Sequence, residues 1–378
     1  MSMILPGSTI GIIGGGQLAR MMILEGRKMG YHFVIVDPAQ DCASHDIAND
    51  QIVASWSSLN AALQLAKVCD VITVDTEHVA WQSIQAIEDQ VPAYPSSIVL
   101  KNVQDRLSQR DFLQKLDIAQ TPYVNVESID ELRNAIDQVG LPCVLKTRTS
   151  GYDGKGQAVI KDKDDIHVAW DKIGRVPAIV EGFVDFQDEV SVLVARTRVN
   201  SQVRIATYPL AKNIHRKHIL HKTVVPAGYP ENIEKNCFQF AHKIVDAFDY
   251  IGIMAIEMFV TKQGEVLVNE IAPRTHNSGH FTYGGCVTSQ FEQQIRAITG
   301  QSLGATTLIE PVVMVNLLGD LWKEDINFQT LMQTPGVTLH LYDKHPAKPG
   351  RKMGHFLVQG QDIEALSAKA DDLYNQLT

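Results

Sequence analysis

The chain has 378 residues, 45 % of them hydrophobic, and a formal net charge of −9 at pH 7. That length accommodates two or three domains with cores of their own, while the acidic balance excludes nucleic acid as a bulk partner, whose footprint is positive. Five scattered cysteines without a C-x-x-C suit free thiols in a reducing compartment and exclude a disulfide framework or zinc site, and the lack of an 18-residue apolar run excludes a membrane span.

Thr9–Ile13 reads as a short apolar strand running into Gly14-Gly15-Gly16-Gln17-Leu18-Ala19. Leu18, Met21 and Met22, with Glu25 and Lys28 outward, predict a helix, and Phe33–Val36 a second strand ending at Asp37. This lies close to the dinucleotide fingerprint and, taken alone, proposes an NAD-dependent oxidoreductase. A glycine-rich turn before a helix also accommodates any phosphate, or merely a close strand–helix contact. Gln51–Val53, a helix near Leu59–Ala66 and Val71–Val74 continue the alternation, so residues 1–97 are expected to form an open, Rossmann-like parallel sheet.

Asp105-Arg106 opens a helical stretch to about Leu116, and Ser128–Val139 is a second amphipathic helix. Cys143-Val144-Leu145-Lys146 reads as a buried strand, Gly151-Tyr152-Asp153-Gly154-Lys155-Gly156-Gln157 as a loop, and Ala158–Ile160 as a returning strand. The glycines permit unusual backbone angles and turn N–H groups toward an anion. A Walker loop joins strand to helix; this loop joins strand to strand, which predicts a flap lying over phosphates. Ala178–Val184 is a strand ending in Glu181-Gly182-Phe183-Val184, whose backbone could meet a planar base, although an edge strand explains it equally well. Glu189, in the next strand, is placed to take hydroxyls. His215, His218 and His221 lie in a basic segment without the partners a metal site needs, and read as solvated or phosphate-facing.

Cys237, Phe240, Ala241, Ile244, Val245 and Phe248 mark one face of a core helix. Two apolar runs, Ile253–Val260 and Val266–Ile271, then flank Lys262-Gln263-Gly264-Glu265, a hairpin turn. A loop centred between Gln263 and Gly264 sets Glu257 opposite Glu270 on one face, with Cβ atoms about 5 Å apart. Like charges so placed cost stability unless a cation sits between them, and one or two carboxylates completed by phosphate oxygens and water are how Mg²⁺ is usually held. Asn269 immediately precedes Glu270, and Arg274, His276, Asn277, Ser278 and His280 follow on a polar loop. After Val312–Leu318 and Thr338–Tyr342, the segment Lys344–His355 carries Lys344, Lys348, Arg351 and Lys352 with no acid, a constrained basic loop suited to a phosphate monoester. Asp362–Leu377 closes the chain as an amphipathic helix.

A phosphate flap, a base-binding strand and two opposed glutamates describe a Mg-nucleotide site; the polar and basic loops describe a second, anionic substrate beside it. This set resembles the ATP-grasp superfamily. Within it, Gly14-Gly15-Gly16-Gln17-Leu18, Gly151–Gln157, Glu181–Val184, the Asn269–His280 string and Tyr342-Asp343-Lys344 with Arg351-Lys352 resemble the 5-(carboxyamino)imidazole ribonucleotide synthase family of purine biosynthesis, over the whole chain. Asp75-Thr76-Glu77-His78 stands where Glu-x-Glu-Asn is commoner in that family, and Cys42-Ala43-Ser44-His45 where Pro-Ala-Ser is usual, which leaves open which acid near residue 75 meets the aminoimidazole.

The resemblance implies an α/β and α+β fold of ATP-grasp architecture. Its parts would be a Rossmann-like domain (1–97), a lid region with the glycine-rich flap (98–185), a catalytic body (186–310) and a small C-terminal domain (311–378). It implies ATP-dependent carboxylation of aminoimidazole ribonucleotide by bicarbonate, through carboxyphosphate. Arg106, Lys146, the flap from Gly151 through Tyr152, Asp153, Gly154, Lys155 and Gly156 to Gln157, and His215 would meet the phosphates. Glu181, Gly182, Phe183 and Val184 would hold adenine, Glu189 the ribose, and Asn269 and Glu270 would complete the ATP site. Glu257 and Glu270 would hold two Mg²⁺ ions, with Mn²⁺ able to replace them. Tyr152, Asp153, Arg274 and His276 would surround the reacting groups; Gln17, Leu18, Glu77, His276, Lys344, Arg351 and Lys352 would bind the ribonucleotide. A cytoplasmic homodimer with small-molecule substrates, acting on neither nucleic acid nor membrane, is expected. The rivals are another ATP-grasp ligase, such as a formate-dependent glycinamide ribonucleotide transformylase, and the NAD oxidoreductase already named.

Overall fold

The computed structural model describes residues 2–149, 151, 156–323 and 325–377. Four parallel strands open the chain: β1 (Thr9–Ile13), β2 (His32–Asp37), β3 (Asp50–Val53) and β4 (Val71–Val74), in the order β3-β2-β1-β4. The continuous apolar runs of β1, β2 and β4 are what a sheet covered on both faces requires, while β3 is a more polar edge strand. The helix Gln17–Lys28 packs on one face and Leu59–Val68 on the other side of the core, Ser58 capping the latter by accepting the Ala61 N–H. Glu25, expected to point outward, is 5 % exposed. Lys28 Nζ lies 2.8 Å from its carboxylate and the Ser289 hydroxyl donates to it at 3.2 Å. The helix Gln290–Ile298 crosses that face, so what reads as a polar stripe is an interface.

A second sheet is antiparallel throughout: β5 (Tyr123–Val126), β6 (Cys143–Thr147), β7 (Gln157–Ile160) and β8 (Ala178–Gly182), in the order β5-β8-β6-β7. The glycine-rich segment does join strand to strand, β6 to β7. Ser128 caps the Ile129–Val139 helix beneath it, accepting from Glu131 N–H at 3.2 Å.

The remaining strands form one nine-stranded sheet: β9 (Phe186–Val199), β10 (Gln202–Thr207), β11 (Ala211–Arg216), β12 (Ile219–Val225), β13 (Gly252–Thr261), β14 (Val266–Ala272), β15 (Val312–Leu318), β16 (Val337–Leu341) and β17 (Lys352–Gln359). Its path is β14-β13-β9-β11-β12-β15-β17-β16, with β10 paired to β9. The strands after residue 311 thus continue the central sheet through β12. Lys352, read in the sequence as part of the basic loop, is the first residue of β17, so the loop proper ends at Arg351. Met353 to Val358 are buried whichever face they take, so Lys352–Gln359 carries no alternation for sequence reading to find.

Behind the polar loop the rings of His280 and His355 lie 4.9 Å apart, and those of His355 and His340 4.6 Å. Burial drives the imidazoles of His280 and His355 well below their ordinary range, and that of His221 down to about 4. These rings stay neutral in the fold while the unfolded chain protonates them near pH 6.5, so their contribution is intact above that pH and is lost as pH falls below it. Each contributes a slope of about 1.4 kcal/mol per pH unit. The urea midpoint is expected to fall steeply from pH 7 to pH 5, and less steeply in His355→Gln; a flat midpoint over that range contradicts it.

Candidate active site

The β13–β14 hairpin brings the two glutamates together, though not by the loop expected. Lys262-Gln263-Gly264 is a three-residue loop with Gly264 at φ +80°, the left-handed angle that glycine takes at this position. Val260 therefore pairs with Val266 and Met258 with Val268, one residue off the predicted register. A β-bulge at Asn269 takes up the difference, and Glu257 then faces Glu270. Burial, then the neighbouring Glu270 charge, push the Glu257 carboxyl up to about 7. The Glu270 carboxylate has Arg106 Nη1 at 3.8 Å, and Glu257 has His276 Nε2 at 3.7 Å.

Strand β14 delivers the polar loop. Arg274 forms an ion pair with Glu77 across from the first sheet. Burial would raise the Glu77 carboxyl, and Arg274 outweighs it, holding it at about 2. His276 Nδ1 receives the Ser278 N–H at 3.3 Å, which assigns the ring proton to Nε2, the atom toward Glu257. Burial, with Arg274 and Lys352 nearby, lowers that imidazole to about 3, so it is neutral near pH 7. Asn277, read in the sequence as part of this polar loop, is 5 % exposed, lines the same cleft, and has neither amide atom bonded to protein among the described residues.

The glycine-rich turn after β1 is already filled. Gly15 N–H donates to Asp37 Oδ2 at 2.8 Å, Gly16 N–H to Asp75, and Ala19 N–H to Asp75 Oδ1 at 3.2 Å. A Cβ on Gly16 would come within 2.4 Å of Asp75 Oδ2. The N–H groups that a pyrophosphate would need are spent on two carboxylates, and Asp37, the acid placed to read a ribose, turns inward to them and to Trp56 Nε1 at 3.1 Å. That geometry overturns the oxidoreductase reading. Gln17 and Leu18 border the cleft beside this turn.

Strand β8 lies between β5 and β6, so it is not an edge strand, and the Glu181 side chain faces inward. Arg110 Nε lies 2.7 Å and Lys146 Nζ 2.6 Å from its two oxygens. Burial would raise this carboxyl; Arg110 and Lys146 outweigh it and hold it at about 2. Only Phe183 and Val184, beyond Gly182, leave the ladder, and Phe183 is 51 % exposed. Phe186 stacks on Phe259 with centroids 4.6 Å apart and both line the cleft, a flat apolar wall that sequence reading missed. Glu189 Oε2 lies 2.9 Å from His215 Nδ1. His218 stands at the following turn, and His221 packs edge-on to Tyr374, so the three histidines do not converge. Tyr152, Asp153, Gly154 and Lys155 lie outside the described residues; Gly151, Gly156 and Gln157 border the gap they leave in sequence.

On the opposite wall Lys344, Arg351 and Lys352 reach the cleft. Burial lowers the Lys344 ammonium to about 8 against the pull of Asp75. Arg351 Nη1 donates to the carbonyls of His345 and Pro346 at 2.9 Å each, folding the basic loop around the guanidinium. The cleft they share with Gln17, Glu77, Lys146, Glu257, Glu270, Arg274 and His276 has a volume of about 1140 Å³.

Three family models match in succession: a ribonucleotide synthetase preATP-grasp domain over residues 7–104, an ATP-grasp domain over 111–291, and a phosphoribosylaminoimidazole carboxylase C-terminal domain over 312–369. The N5-carboxyaminoimidazole ribonucleotide synthase of Bacillus subtilis (strain 168) is 41 % identical, over 95 % of this chain and 94 % of that protein. The chain belongs to the N5-carboxyaminoimidazole ribonucleotide synthase family. It also matches a Dictyostelium discoideum bifunctional purine synthesis protein at 40 % identity, of whose length it spans 37 %. The Staphylococcus aureus N5-carboxyaminoimidazole synthetase solved with ADP superposes with a TM-score of 0.92, at 36 % identity over 100 % of this chain and 98 % of that one. The Aspergillus clavatus synthase solved with ADP and 5-aminoimidazole ribonucleotide gives a TM-score of 0.88, at 28 % identity over 98 % of both chains.

As a member of the N5-carboxyaminoimidazole ribonucleotide synthase family the chain is an ATP-dependent ligase, and its ATP-grasp frame explains the division of the cleft. The second sheet supplies Lys146, the central sheet supplies the glutamates, and the first sheet closes the far end with Gln17 and Glu77. The residues missed beforehand, Phe186 and Phe259, have ordinary surroundings in sequence. Only the fold shows that they share one wall.

Proposed function

We propose that this chain carboxylates 5-aminoimidazole ribonucleotide with bicarbonate and ATP, giving N5-carboxyaminoimidazole ribonucleotide, ADP and phosphate in purine biosynthesis. The observation that carries it is the junction, in one cleft, of the Glu257/Glu270 pair with the Arg274–His276 loop and the basic loop ending at Arg351. Bicarbonate oxygen attacks the terminal phosphorus, ADP leaves, and the resulting carboxyphosphate delivers its carbon to the exocyclic amine as phosphate departs and the amine loses a proton. Phosphoryl transfer needs positioning and charge neutralisation more than covalent help.

In this reading Lys146, Arg106, Gln157 and His215 meet the phosphates, Phe183 and Val184 with the Phe186/Phe259 wall flank adenine, and Glu189 meets the ribose. Arg274 and His276 face bicarbonate and the amine. Gln17, Glu77, Lys344, Arg351 and Lys352 hold the ribonucleotide. Tyr152 and Asp153 join them from the flap. The two glutamates suit Mg²⁺: hard donors, face to face, one of them pushed up to about 7 by burial and then by the other's charge. Two carboxylates do not fill an octahedral shell, so phosphate oxygens and water would complete it. The ions, when bound, neutralise charge on the phosphates. The same reading places the enzyme in the cytoplasm, in keeping with its free cysteines, and the family resemblance alone adds a homodimer.

The test is ADP and phosphate formation with each substrate omitted in turn. Turnover that requires both aminoimidazole ribonucleotide and bicarbonate supports the reading; stimulation by formate or an amino acid instead selects the rival ligase. Arg351→Ala is expected to raise the apparent KM for the ribonucleotide by about tenfold or more, the scale of one charge-assisted phosphate contact, with KM for ATP little changed. Equal shifts in the two would misplace the basic loop.

A further inference from the structure

The groups that face the second substrate stand on a turn with little secondary structure of its own. Between Arg274 and His280, only Asn277–Gly279 makes a 3-10 turn. Such a segment keeps its shape only where its peptide groups have fixed partners. At His276 one side chain from another element supplies a partner to each peptide group, beside the turn's own Gly279 N–H to the His276 carbonyl. Gln290, fully buried, accepts the His276 N–H through Oε1 at 2.9 Å and donates from Nε2 to the His276 carbonyl at 2.7 Å. The same Nε2 lies 3.2 Å from His280 Nδ1. The amide therefore grips one residue's backbone from both ends, as a neighbouring strand would.

The packing fixes the amide as well. Gln290 N–H donates to Thr282 Oγ1 at 2.9 Å, and a Cβ on Gly279 would fall 2.5 Å from Gln290 Oε1. One helical turn later Gln294 repeats the device toward the other wall. Its Oε1 accepts the Ile253 N–H at 2.6 Å and its Nε2 donates to Thr73 Oγ1 at 2.9 Å. Thr73 lies on β4, two residues before Asp75. Residues four apart share a helix face, so one face of the Gln290–Ile298 helix holds both the His276 turn and the strand end that carries Asp75 and Glu77.

We propose that Gln290 is a positioning residue for the carboxylation step, setting His276 and Arg274 against the Asp75–Glu77 strand end without touching any reacting group. The proposal rests on the functional reading above and adds to it a residue outside the cleft lining. Misplacing a reacting group by about 1 Å costs on the order of 10²-fold in rate, and release of the His276 peptide is a displacement of that kind.

The test compares Gln290→Met, which fills the same volume without the amide, with Gln293→Met. Gln293 makes the same two-ended grip on Gly304, at 2.8 and 3.0 Å, away from the cleft. Gln290→Met is expected to lower kcat with aminoimidazole ribonucleotide by ~10–100-fold, to raise the phosphate released per carboxylated product, and to leave KM for ATP within about twofold. Gln293→Met is expected to lose comparable thermal stability with wild-type kinetics. Wild-type kcat and coupling in Gln290→Met, or equal losses in the two variants, overturn the proposal. Should Gln290→Met not fold, Gln290→Glu carries the test: a protonated carboxyl restores the donor to the His276 carbonyl, so activity relative to wild type should rise as pH falls from about 8 to about 6. A constant ratio overturns it. Absence of ribonucleotide-dependent turnover in the wild type sinks the functional reading and this proposal together, whereas a normal wild type with indifferent variants sinks the proposal alone.

Discussion

Glu270→Gln is expected to abolish ATP turnover while leaving the fold intact. The carboxylate it removes is half of the facing pair, and no other described acid stands opposite Glu257 across the β13–β14 ladder. Charge neutralisation on a transferring phosphoryl group is worth several kcal/mol, so a fall in kcat of ~10³-fold or more follows. Stability should hold or rise slightly, because Glu257 loses the repulsion that, after burial, raises its carboxyl. ADP release in a coupled assay, thermal unfolding, and Mn²⁺ binding by titration calorimetry read the three effects separately. Normal turnover, or unchanged ion affinity, would remove the metal role of this pair.

Glu181→Leu should have the largest effect on stability. The Glu181 side chain is 4 % exposed and sits between Arg110, 3 % exposed, and Lys146, 14 % exposed. Without it two cations remain buried together, and breaking a buried pair in this way costs about 3–5 kcal/mol. Against a typical total of about 5–15 kcal/mol that is a large share. The wild-type contribution is present above the ordinary carboxylate value of 4.5 and is lost only as pH falls toward about 2. A Glu181→Leu protein melting with the wild type would show that the triad holds nothing.

What the sequence carried, and what it did not, follows from the range of each interaction. Strands and caps are local: Thr9–Ile13, Val71–Val74 and the Ser128 and Asp105 caps stand where apolar runs and cap residues put them. The Glu257–Glu270 encounter was also legible, although the expected loop and the actual one differ by a residue and Asn269 absorbs the mismatch. Glu25 was misread because its partners, Ser289 and Glu292's neighbour Lys28, come from an element far along the chain or from its own helix in an unforeseen packing. Asp75 and Asp37 were open as substrate or ribose acids because nothing in sequence shows that both turn onto the glycine-rich N–H groups. The Phe186/Phe259 wall needed the β9–β13 register, a pairing of residues more than seventy apart.

The central sheet runs unbroken from the glutamate hairpin to β16 and β17, which frame the basic loop. The basic loop and the glutamate pair therefore ride on a single hydrogen-bonded platform, while β6 and β7 belong to another sheet. Under the proposed function, the spacing between the sugar phosphate and the divalent ions is then set by strand register within one sheet, whatever the neighbouring sheet does.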